Sequence, residues 1–392
     1  MDHNCFLVLQ DGTTYSGISF GYEPLSVDGL SEGTLYQKGA GEVIFNTAMS
    51  GYHEIFTDPS YTGQLVVMTY PHIGNYGTDE TWSENGPEPE KRASVKAAGC
   101  IVRSLSRGSV PSGRKTLHDY LREQKTPGIT DIDTRALTLK IRDEGNPLGI
   151  IVSSSRGESR AGSDELTPGE IDACKRFLDA FPPMVGRNLV GEVGTTEITG
   201  INTSGTGPHV ALYDSGIKAN IIRELSRLDC RITLFPHLST AEEILAAGPD
   251  AVLLSNGPGD PAVLDHAIEM TKQLIGKVSL FGICLGHQII SLALGAETYK
   301  MRFGHHGANH PVRDETTGKV CVTSQNHGFS VQEQSLPDNV SVWMRNANDG
   351  SVEGIYHHEL PVLSVQFHPE AAPGPRDSLW IFKRFLQEID GT

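Results

Sequence analysis

The stretch Phe281-Gly282-Ile283-Cys284-Leu285-Gly286-His287-Gln288 decides the fold of the second half of this chain. An apolar run from Val278 to Ile283 leads into it, and a run with helical periodicity from Gln288 to Leu294 follows it. This order predicts a strand, a sharp turn and a helix, with the cysteine at the turn, an arrangement called a nucleophile elbow. The glycines on either side of the cysteine allow the backbone to turn tightly and a substrate to approach.

Cys284 is predicted to be a reactive thiolate. A helix that begins at Leu285 points its first N–H groups and the positive end of its dipole at the sulfur, which favours the thiolate. The alternative is a buried cysteine in an α/β core, which is the usual place for a free cysteine. The flanking glycines argue against that alternative, because packing alone gives no reason to remove side chains there. The sequence therefore indicates a covalent thioester or a related adduct at Cys284.

Composition places the chain among ordinary globular proteins. It has 392 residues, of which 38% are hydrophobic and 20% charged, so it is long enough for two domains. The net charge of −16 disfavours binding to nucleic acid or to anionic membranes. No apolar run approaches the roughly 20 residues that span a bilayer, and the first residues lack a targeting pattern. The six cysteines show no paired spacing, so we expect a cytoplasmic protein.

The chain is predicted to contain two domains and a connector. Residues 1–151 alternate short apolar runs with glycine-rich turns, which predicts a β-rich α+β domain. Residues 152–207 are rich in Ser, Gly, Glu and Thr and are interpreted as a connecting segment. In residues 208–392 strand and helix patterns alternate, which predicts an α/β domain with a doubly wound, mostly parallel sheet. Sites in such sheets lie at the carboxyl ends of the strands, where Cys284 falls.

A second strand end supplies the partners that a cysteine nucleophile needs. The apolar pattern Pro361–Phe367 predicts a strand, and it ends in His368-Pro369-Glu370. A thiolate requires a base to move protons, and that base requires a group that orients it. We therefore predict Cys284 as nucleophile, His368 as base and Glu370 as the orienting carboxylate.

A third strand end is expected to complete the site. The glycine-rich loop Ser255–Pro261 follows another apolar strand pattern. Its backbone N–H groups at Gly257 and Gly259, together with that of Leu285, are candidates for an oxyanion hole. An isolated Asn-Gly-Pro-Gly would be read only as a tight turn, but three loops at one sheet edge favour a site.

The three motifs together resemble those of the class I (triad) glutamine amidotransferases. Further stretches in both domains make the chain similar to the glutamine-hydrolysing small subunit of carbamoyl phosphate synthetase. In the second domain they are Phe303–Val312 and Gln325–Phe329, and in the first they are Asp11–Thr13, Gly41–Tyr52, Thr57–Tyr61, Thr69–Asn75 and Asp131–Arg135. Other amidotransferases of the class lack the first domain. The resemblance covers nearly the whole chain.

This resemblance implies that the substrate is glutamine. Cys284 would attack the side-chain carboxamide, His368 would protonate the departing ammonia and then activate water, and Glu370 would hold the imidazole. Gln288, four residues beyond the cysteine on the same helical face, is also expected on geometric grounds to touch the substrate. The glutamine-binding residues that the resemblance implies are Ser60, Gly257, Gly259, Leu285, Gln288, Asn326, Gly328 and Phe329.

The resemblance also implies a partner chain. In the family the ammonia passes through an internal tunnel to a large synthetase subunit, which uses ATP, magnesium and bicarbonate to make carbamoyl phosphate for arginine or pyrimidine biosynthesis. This chain has no Walker-type phosphate loop and is too short to contain the synthetase, so we expect a separate partner chain that uses these compounds and no cofactor in this chain. We expect a heterodimer with the large subunit and leave a higher oligomer open.

The sequence argues against three alternatives: a metal site, a stand-alone hydrolase and an inactive scaffolding subunit. His305, His306 and His310 lack a familiar zinc spacing and a completing cysteine or carboxylate pair, so we expect no metal. A stand-alone cysteine hydrolase acting on γ-glutamyl compounds or peptides would not require the first domain. A scaffolding subunit with an inactive site would be expected to carry an altered elbow, whereas this elbow is intact.

Overall fold

The computed structural model describes residues 3–30, 38–87, 94–154 and 165–390, and the chain divides into two compact units. Unit 1 comprises Met1–Ser83 and Ala93–Met184, and unit 2 comprises Glu84–Arg92 and Val185–Thr392. Each unit has its own sheet and helices, so the fold is mixed α/β. Within the described ranges no helix is both long and apolar enough to cross a membrane.

Unit 1 is organised around one eight-stranded sheet. The strands of the unit are β1 (Asn4–Leu9), β2 (Thr14–Gly21), β3 (Leu25–Ser26), β4 (Ala40–Asn46), β5 (Gln64–Met68), β6 (His72–Ile73), β7 (Gly99–Ile101), β8 (Ser104–Leu105), β9 (Pro127–Thr130) and β10 (Leu148–Ser153). The sheet order is β1-β2-β9-β7-β5-β4-β10-β3, and β6 pairs separately with β8. Because β1 also pairs with β10, the sheet closes on itself, which leaves few unpaired strand edges.

Capping side chains begin the longer helices of unit 1. Its helices are α1 (Tyr52–Thr57), α2 (Leu117–Glu123), α3 (Thr134–Glu144) and α4 (Pro168–Ala180), with short 3₁₀ turns at Val27–Gly29, Pro59–Tyr61 and Glu80–Trp82. Asp133 accepts from the Ala136 N–H at the start of α3, and Thr167 forms a capping box with Glu170 at the start of α4. Within region 152–207, α4 packs against β1 and β10 of unit 1, whereas the residues from Val185 onward belong to unit 2. The region therefore contributes to both units.

Unit 2 is built on a ten-stranded sheet in which parallel and antiparallel pairs are segregated. Its strands are β11 (Thr199–Ile201), β12 (His209–Asp214), β13 (Arg231–Pro236), β14 (Ala251–Leu254), β15 (Ser279–Ile283), β16 (Thr298–Asp314), β17 (Val320–Val331), β18 (Val340–Asn346), β19 (Val352–His357) and β20 (Val362–Val365). The order is β11-β13-β12-β14-β15-β20-β19-β18-β16-β17. Only the central strands β13, β12, β14, β15 and β20 are parallel.

The expectation of a mostly parallel sheet therefore holds for the centre of unit 2 and fails for its flanks. Strands β16 to β19 pair antiparallel, in part through the long β16–β17 hairpin. The hairpin has two register irregularities and few strictly alternating apolar residues, so its strand pattern is weak in the sequence.

Helices cover both faces of the parallel centre. They are α5 (Ala219–Arg227), α6 (Ala241–Ala246), α7 (Asp265–Leu274), α8 (Leu285–Ala293) and α9 (Trp380–Asp390), with 3₁₀ turns at Val190–Glu192, Pro261–Val263 and Glu333–Ser335. One buried cluster includes Ile221 and Phe385, and the other includes Met270 and Ile289. Because β12, β14, β15 and β20 run parallel, their carboxyl ends meet at one edge of the sheet, which positions the loops described next.

Candidate functional site

The turn between β15 and α8 holds Cys284 in a strained conformation. Its φ is 54° and its ψ is −106°, which is sparsely populated by residues with a side chain. Its N–H donates to the Val365 carbonyl at 2.9 Å, which ties the turn to the end of β20. A Cβ at Gly286 would lie 2.1 Å from the Leu254 carbonyl oxygen, and one at Gly282 would lie 2.6 Å from the Gly286 carbonyl carbon. The turn therefore needs both glycines.

The loop after β20 places a histidine and a carboxylate together in the interior. His368 is 1% exposed and Glu370 is fully buried. The Nδ1 atom of His368 lies 2.6 Å from Oε1 of Glu370, so it donates to that oxygen. The His368 N–H donates to the Ser324 carbonyl at 2.9 Å, which fixes the backbone beside β17. No hydrogen-bond partner of His368 Nε2 is found among the residues that the structure describes.

The charges of these groups reinforce one another. Burial opposes the charge of His368, but Glu370 and Cys284 outweigh it and raise the pKa of His368 to about 10. Burial likewise opposes the charge of Glu370, but Lys218 and His368 together hold its pKa below the usual range. An imidazolium facing a cysteine favours the thiolate, so the arrangement suits a thiolate–imidazolium pair.

Sequence reasoning did not identify Lys218, which completes this charged group. Its side chain is 2% exposed, and Nζ lies 3.2 Å from Oε1 of Glu370 and donates to the Ala371 carbonyl at 2.5 Å. Its backbone N–H donates to Oδ1 of Asn256 at 2.9 Å. The residue follows β12, which ends at Asp214, so the strand-end argument used for Cys284 could have found it.

The loop after β14 lies beside the first residue of α8. A Cβ at Gly257 would be 2.1 Å from the Ser215 carbonyl oxygen and 2.9 Å from Cδ2 of Leu285. Gly259 has a φ of +99°, and a Cβ there would be 2.6 Å from the Arg187 carbonyl oxygen. As the first residue of a helix, Leu285 has an N–H without an acceptor inside that helix. The structure thus brings Gly257 to Leu285, and their roles toward an oxyanion stay predictions.

Strand β17 runs past the elbow and supplies one of the two hydrogen-bond acceptors of the Gln288 side chain. Nε2 of Gln288 donates to the Phe329 carbonyl at 2.8 Å and to Oε1 of Gln366 at 2.9 Å. The Cys284 thiol donates to the Asn326 carbonyl at 3.6 Å. Three of the residues predicted to bind glutamine are therefore adjacent to the predicted nucleophile or to one another.

Two other predicted binding residues have different surroundings. A Cβ at Gly328 would be 2.8 Å from Nζ of Lys300, an atom that lies 4.9 Å from the ring centroid of Phe329. Ser60 lies in unit 1, where it is 8% exposed and its N–H donates to Oδ1 of Asp58 at 2.9 Å. The assignment of Ser60 to glutamine binding stays a prediction.

A buried histidine cluster lies on the antiparallel side of unit 2. His305, His327 and Glu353 place potential ligand atoms within 4.8 Å of one another. His305 also contacts Asp349 at 2.8 Å, and His327 Nδ1 donates to the Phe329 carbonyl at 2.8 Å. Burial opposes the charge of His305, but Asp349 and Glu353 outweigh it and raise the pKa of His305 to about 9. A hydrogen-bonded network explains the cluster, and the expected absence of a metal stays a prediction.

Two family models match this chain. The model of glutamine amidotransferase class-I matches residues 211–388. The model of the carbamoyl-phosphate synthase small chain, CPSase domain, matches residues 7–151.

Curated relatives match nearly the full length. The carbamoyl phosphate synthase small chain of Neisseria meningitidis serogroup B is 44% identical over 401 residues, which cover 98% of this chain and 98% of the relative. The protein of the same name from Methanocaldococcus jannaschii is 44% identical over 384 residues, with 98% of each chain covered. That of Chlorobaculum tepidum is 43% identical over 388 residues, which cover 98% of this chain and 97% of the relative.

Proposed function

Because the chain belongs to the carbamoyl phosphate synthase small chain family, we propose that it hydrolyses glutamine and supplies the ammonia to a synthetase large chain. The observation that carries the proposal is the buried contact of 2.6 Å between His368 and Glu370 at the strand end next to the strained Cys284 turn. Nucleophile, base and orienting group occupy neighbouring loops, as a cysteine amidotransferase requires.

The first half of the reaction forms a thioester. The Cys284 sulfur attacks the carboxamide carbon of glutamine, and the carbonyl electrons move to oxygen. The C–N bond then breaks, the His368 imidazolium gives its Nε2 proton to the departing nitrogen, and ammonia leaves. A γ-glutamyl thioester on Cys284 and a neutral imidazole remain, and Glu370 keeps the ring oriented through Nδ1.

The second half restores the enzyme. Neutral His368 takes a proton from water, and the water oxygen attacks the thioester carbon. The C–S bond breaks, glutamate leaves, and the thiolate and imidazolium form again. Glu370, which raises the pKa of His368, favours this return of the proton to the ring. The N–H groups of Gly257, Gly259 and Leu285 are proposed to stabilise the oxyanion in both halves.

The remaining proposals concern the partner and the product. The large chain would consume the ammonia, with ATP, magnesium and bicarbonate, to make carbamoyl phosphate, and the product would enter arginine or pyrimidine biosynthesis. We propose a heterodimer in the cytoplasm and an internal route for the ammonia. Gln288, Asn326, Gly328, Phe329 and Ser60 would hold the glutamine.

One comparison of nitrogen sources tests the function. The chain is purified with its large chain, and carbamoyl phosphate formation from glutamine is compared with formation from ammonia, for wild type and Cys284→Ser. We expect the variant to lose the glutamine reaction and to retain the ammonia reaction, because only the first uses the thiolate. An assembled wild-type complex that makes no carbamoyl phosphate from either source would overturn the proposal.

A further inference from the structure

Segment 84–87 carries a buried carboxylate that the proposed mechanism does not use. The segment belongs to unit 2, although the chain on both sides of Glu84–Arg92 belongs to unit 1. Asn85 forms an antiparallel bridge with Lys218, and the Gly86 N–H donates to the Ile217 carbonyl at 3.2 Å. The segment is therefore bonded to the loop that precedes α5.

Glu84 closes the start of α5. Its side chain is 1% exposed, and Oε2 accepts from the Asn220 N–H at 2.9 Å, while Oε1 lies 2.7 Å from Nη1 of Arg223. The Glu84 carbonyl accepts from the Ala219 N–H at 3.1 Å. A carboxylate at this end of a helix compensates the positive end of the dipole and satisfies N–H groups that have no partner inside the helix.

Glu84 contacts the start of α5, and residues at the start of α5 also contact Glu370 of the predicted triad. Lys218 contacts the Glu370 carboxylate at 3.2 Å and the Ala371 carbonyl at 2.5 Å. The Asn220 side-chain amide donates to the Glu370 carbonyl. Lys218 also acts electrostatically on both carboxylates, because it favours the charged form of Glu84 and that of Glu370.

We propose that Glu84 is a positioning residue of the Cys284 site, which acts through Lys218 and Asn220 on Glu370. The inference rests on the proposed function, because it concerns the same triad. While Glu84 is charged, the Lys218 ammonium group contacts Glu370 and also interacts electrostatically with the Glu84 carboxylate. If Glu84 is made neutral, Lys218 neutralises Glu370 more fully, and the Glu370 carboxylate then stabilises the His368 imidazolium less.

The test is the pH dependence of glutamine hydrolysis by the full complex. For Glu84→Gln we expect the alkaline limb of kcat/KM to move to lower pH by about one unit, because the His368 imidazolium is less stable. At a pH above the wild-type limb, where both profiles fall, this is a loss of about tenfold in rate with little change in KM. Burial, opposed by Lys218 and Arg223, raises the pKa of Glu84 to about 7, so wild-type Glu84 carries its charge at that limb.

The matched control is Glu243→Gln. Glu243 caps α6 through Thr240 in the same unit, so the control removes a capping carboxylate from another helix start. It should lower thermal stability and leave the pH profile unchanged. The inference is overturned if Glu84→Gln behaves in the same way, with a lower Tm and a superimposable pH profile.

A double variant and the wild-type complex distinguish the remaining outcomes. If Glu84→Gln is not recovered folded, the double variant Glu84→Gln/Arg223→Gln leaves no unpaired guanidinium. The same downward shift is expected, because the Arg223 side chain is 31% exposed and its charge is screened, whereas an unmoved limb overturns the inference. A wild-type complex that hydrolyses no glutamine refutes the proposed function. A wild-type complex that hydrolyses glutamine, with an unmoved limb in the variant, refutes the role of Glu84 alone.

Discussion

Cys100 of unit 1 and Cys284 of unit 2 show how little burial alone says about a cysteine. Both are nearly inaccessible, at 1% and 3% exposed, and each lies in or directly after an apolar strand with parallel neighbours. Cys100 lies within β7, where burial raises the pKa of the thiol well above its usual range. Cys284 lies one residue beyond β15, at a strained turn that begins a helix.

The surroundings of the two thiols differ more than their exposure does. The raised pKa of Cys100 has burial as its cause, and no charge among the described residues compensates it. Cys284 instead acts on the charge of His368, which in turn contacts Glu370 and, through it, Lys218. A buried cysteine becomes a candidate nucleophile when the backbone places it at a strand end and when a charged group compensates the thiolate.

The largest expected effect comes from removing each thiol in turn. Cys284→Ala should reduce glutamine hydrolysis by about 10⁴-fold or more, because no thioester can form. Cys100→Ala should keep kcat and lose about 1 kcal/mol in the free energy of unfolding, because it leaves a small cavity. Glutaminase assays and urea titrations of both variants measure this contrast. Equal losses of activity would remove the distinction between the two cysteines.

The second-largest loss of activity is expected from replacing His368, the predicted base. His368→Asn should lower kcat for glutamine hydrolysis by about 10³-fold, because both proton transfers lose their carrier. The control is His358→Asn, which changes an exposed histidine whose Nε2 lies 2.8 Å from Oγ of Ser341 and should leave kcat unchanged. Rates at saturating glutamine provide the measurement, and a His368→Asn enzyme within tenfold of wild type would exclude the base assignment.

The elements around the elbow could be predicted because their signals are local. An apolar run up to Ile283, flanking glycines and a helical pattern after them predict a strand and a helix, and these appear as Ser279–Ile283 and Leu285–Ala293. The pattern before His368 predicts a strand in the same way, and it appears as Val362–Val365. Short-range periodicity and turn chemistry carry this information.

The parts that were missed depend on contacts between distant residues. Lys218 pairs with Glu370 across 152 positions of sequence, and Glu84 reaches Arg223 across 139. A charged residue at such positions is ordinarily read as solvent-exposed, and only the fold shows that these two are buried. The antiparallel flank of unit 2 was missed because irregular pairing of β16 with β17 interrupts the alternation that indicates strands.

A smaller effect is expected from removing the positive charge of Lys218, which contacts Glu370. Lys218→Met should lower kcat for glutamine hydrolysis by about tenfold, because the Glu370 carboxylate and the Ala371 carbonyl lose the ammonium group that holds them in place. Lys272→Met is the control, since Lys272 is half exposed and pairs with Glu269 on the surface of α7. The comparison uses steady-state kinetics on both variants. A Lys218→Met enzyme with wild-type kcat would show that the triad does not need this charge.

The last expected effect is on stability as a function of pH. The pKa of His368 in the folded protein is raised to about 10, above the usual value of about 6.5 for an unfolded chain. The stabilisation from its charge is therefore fully present below about pH 6.5 and is lost as pH rises through about 10. The difference in free energy of unfolding between wild type and His368→Asn, from urea titrations at several pH values, should shrink across this window. If the difference in free energy of unfolding grew with pH, the raised pKa of His368 would be contradicted.

The most direct measurement identifies the atom that attacks glutamine. The complex is treated with a glutamine analogue that carries a diazoketone in place of the carboxamide, and the labelled peptide is located by mass spectrometry. We expect one label per chain on Cys284, prevented by excess glutamine, with Cys100 unlabelled. A label on another residue, or none in an enzyme that turns over glutamine, would contradict the assignment of Cys284 as the nucleophile.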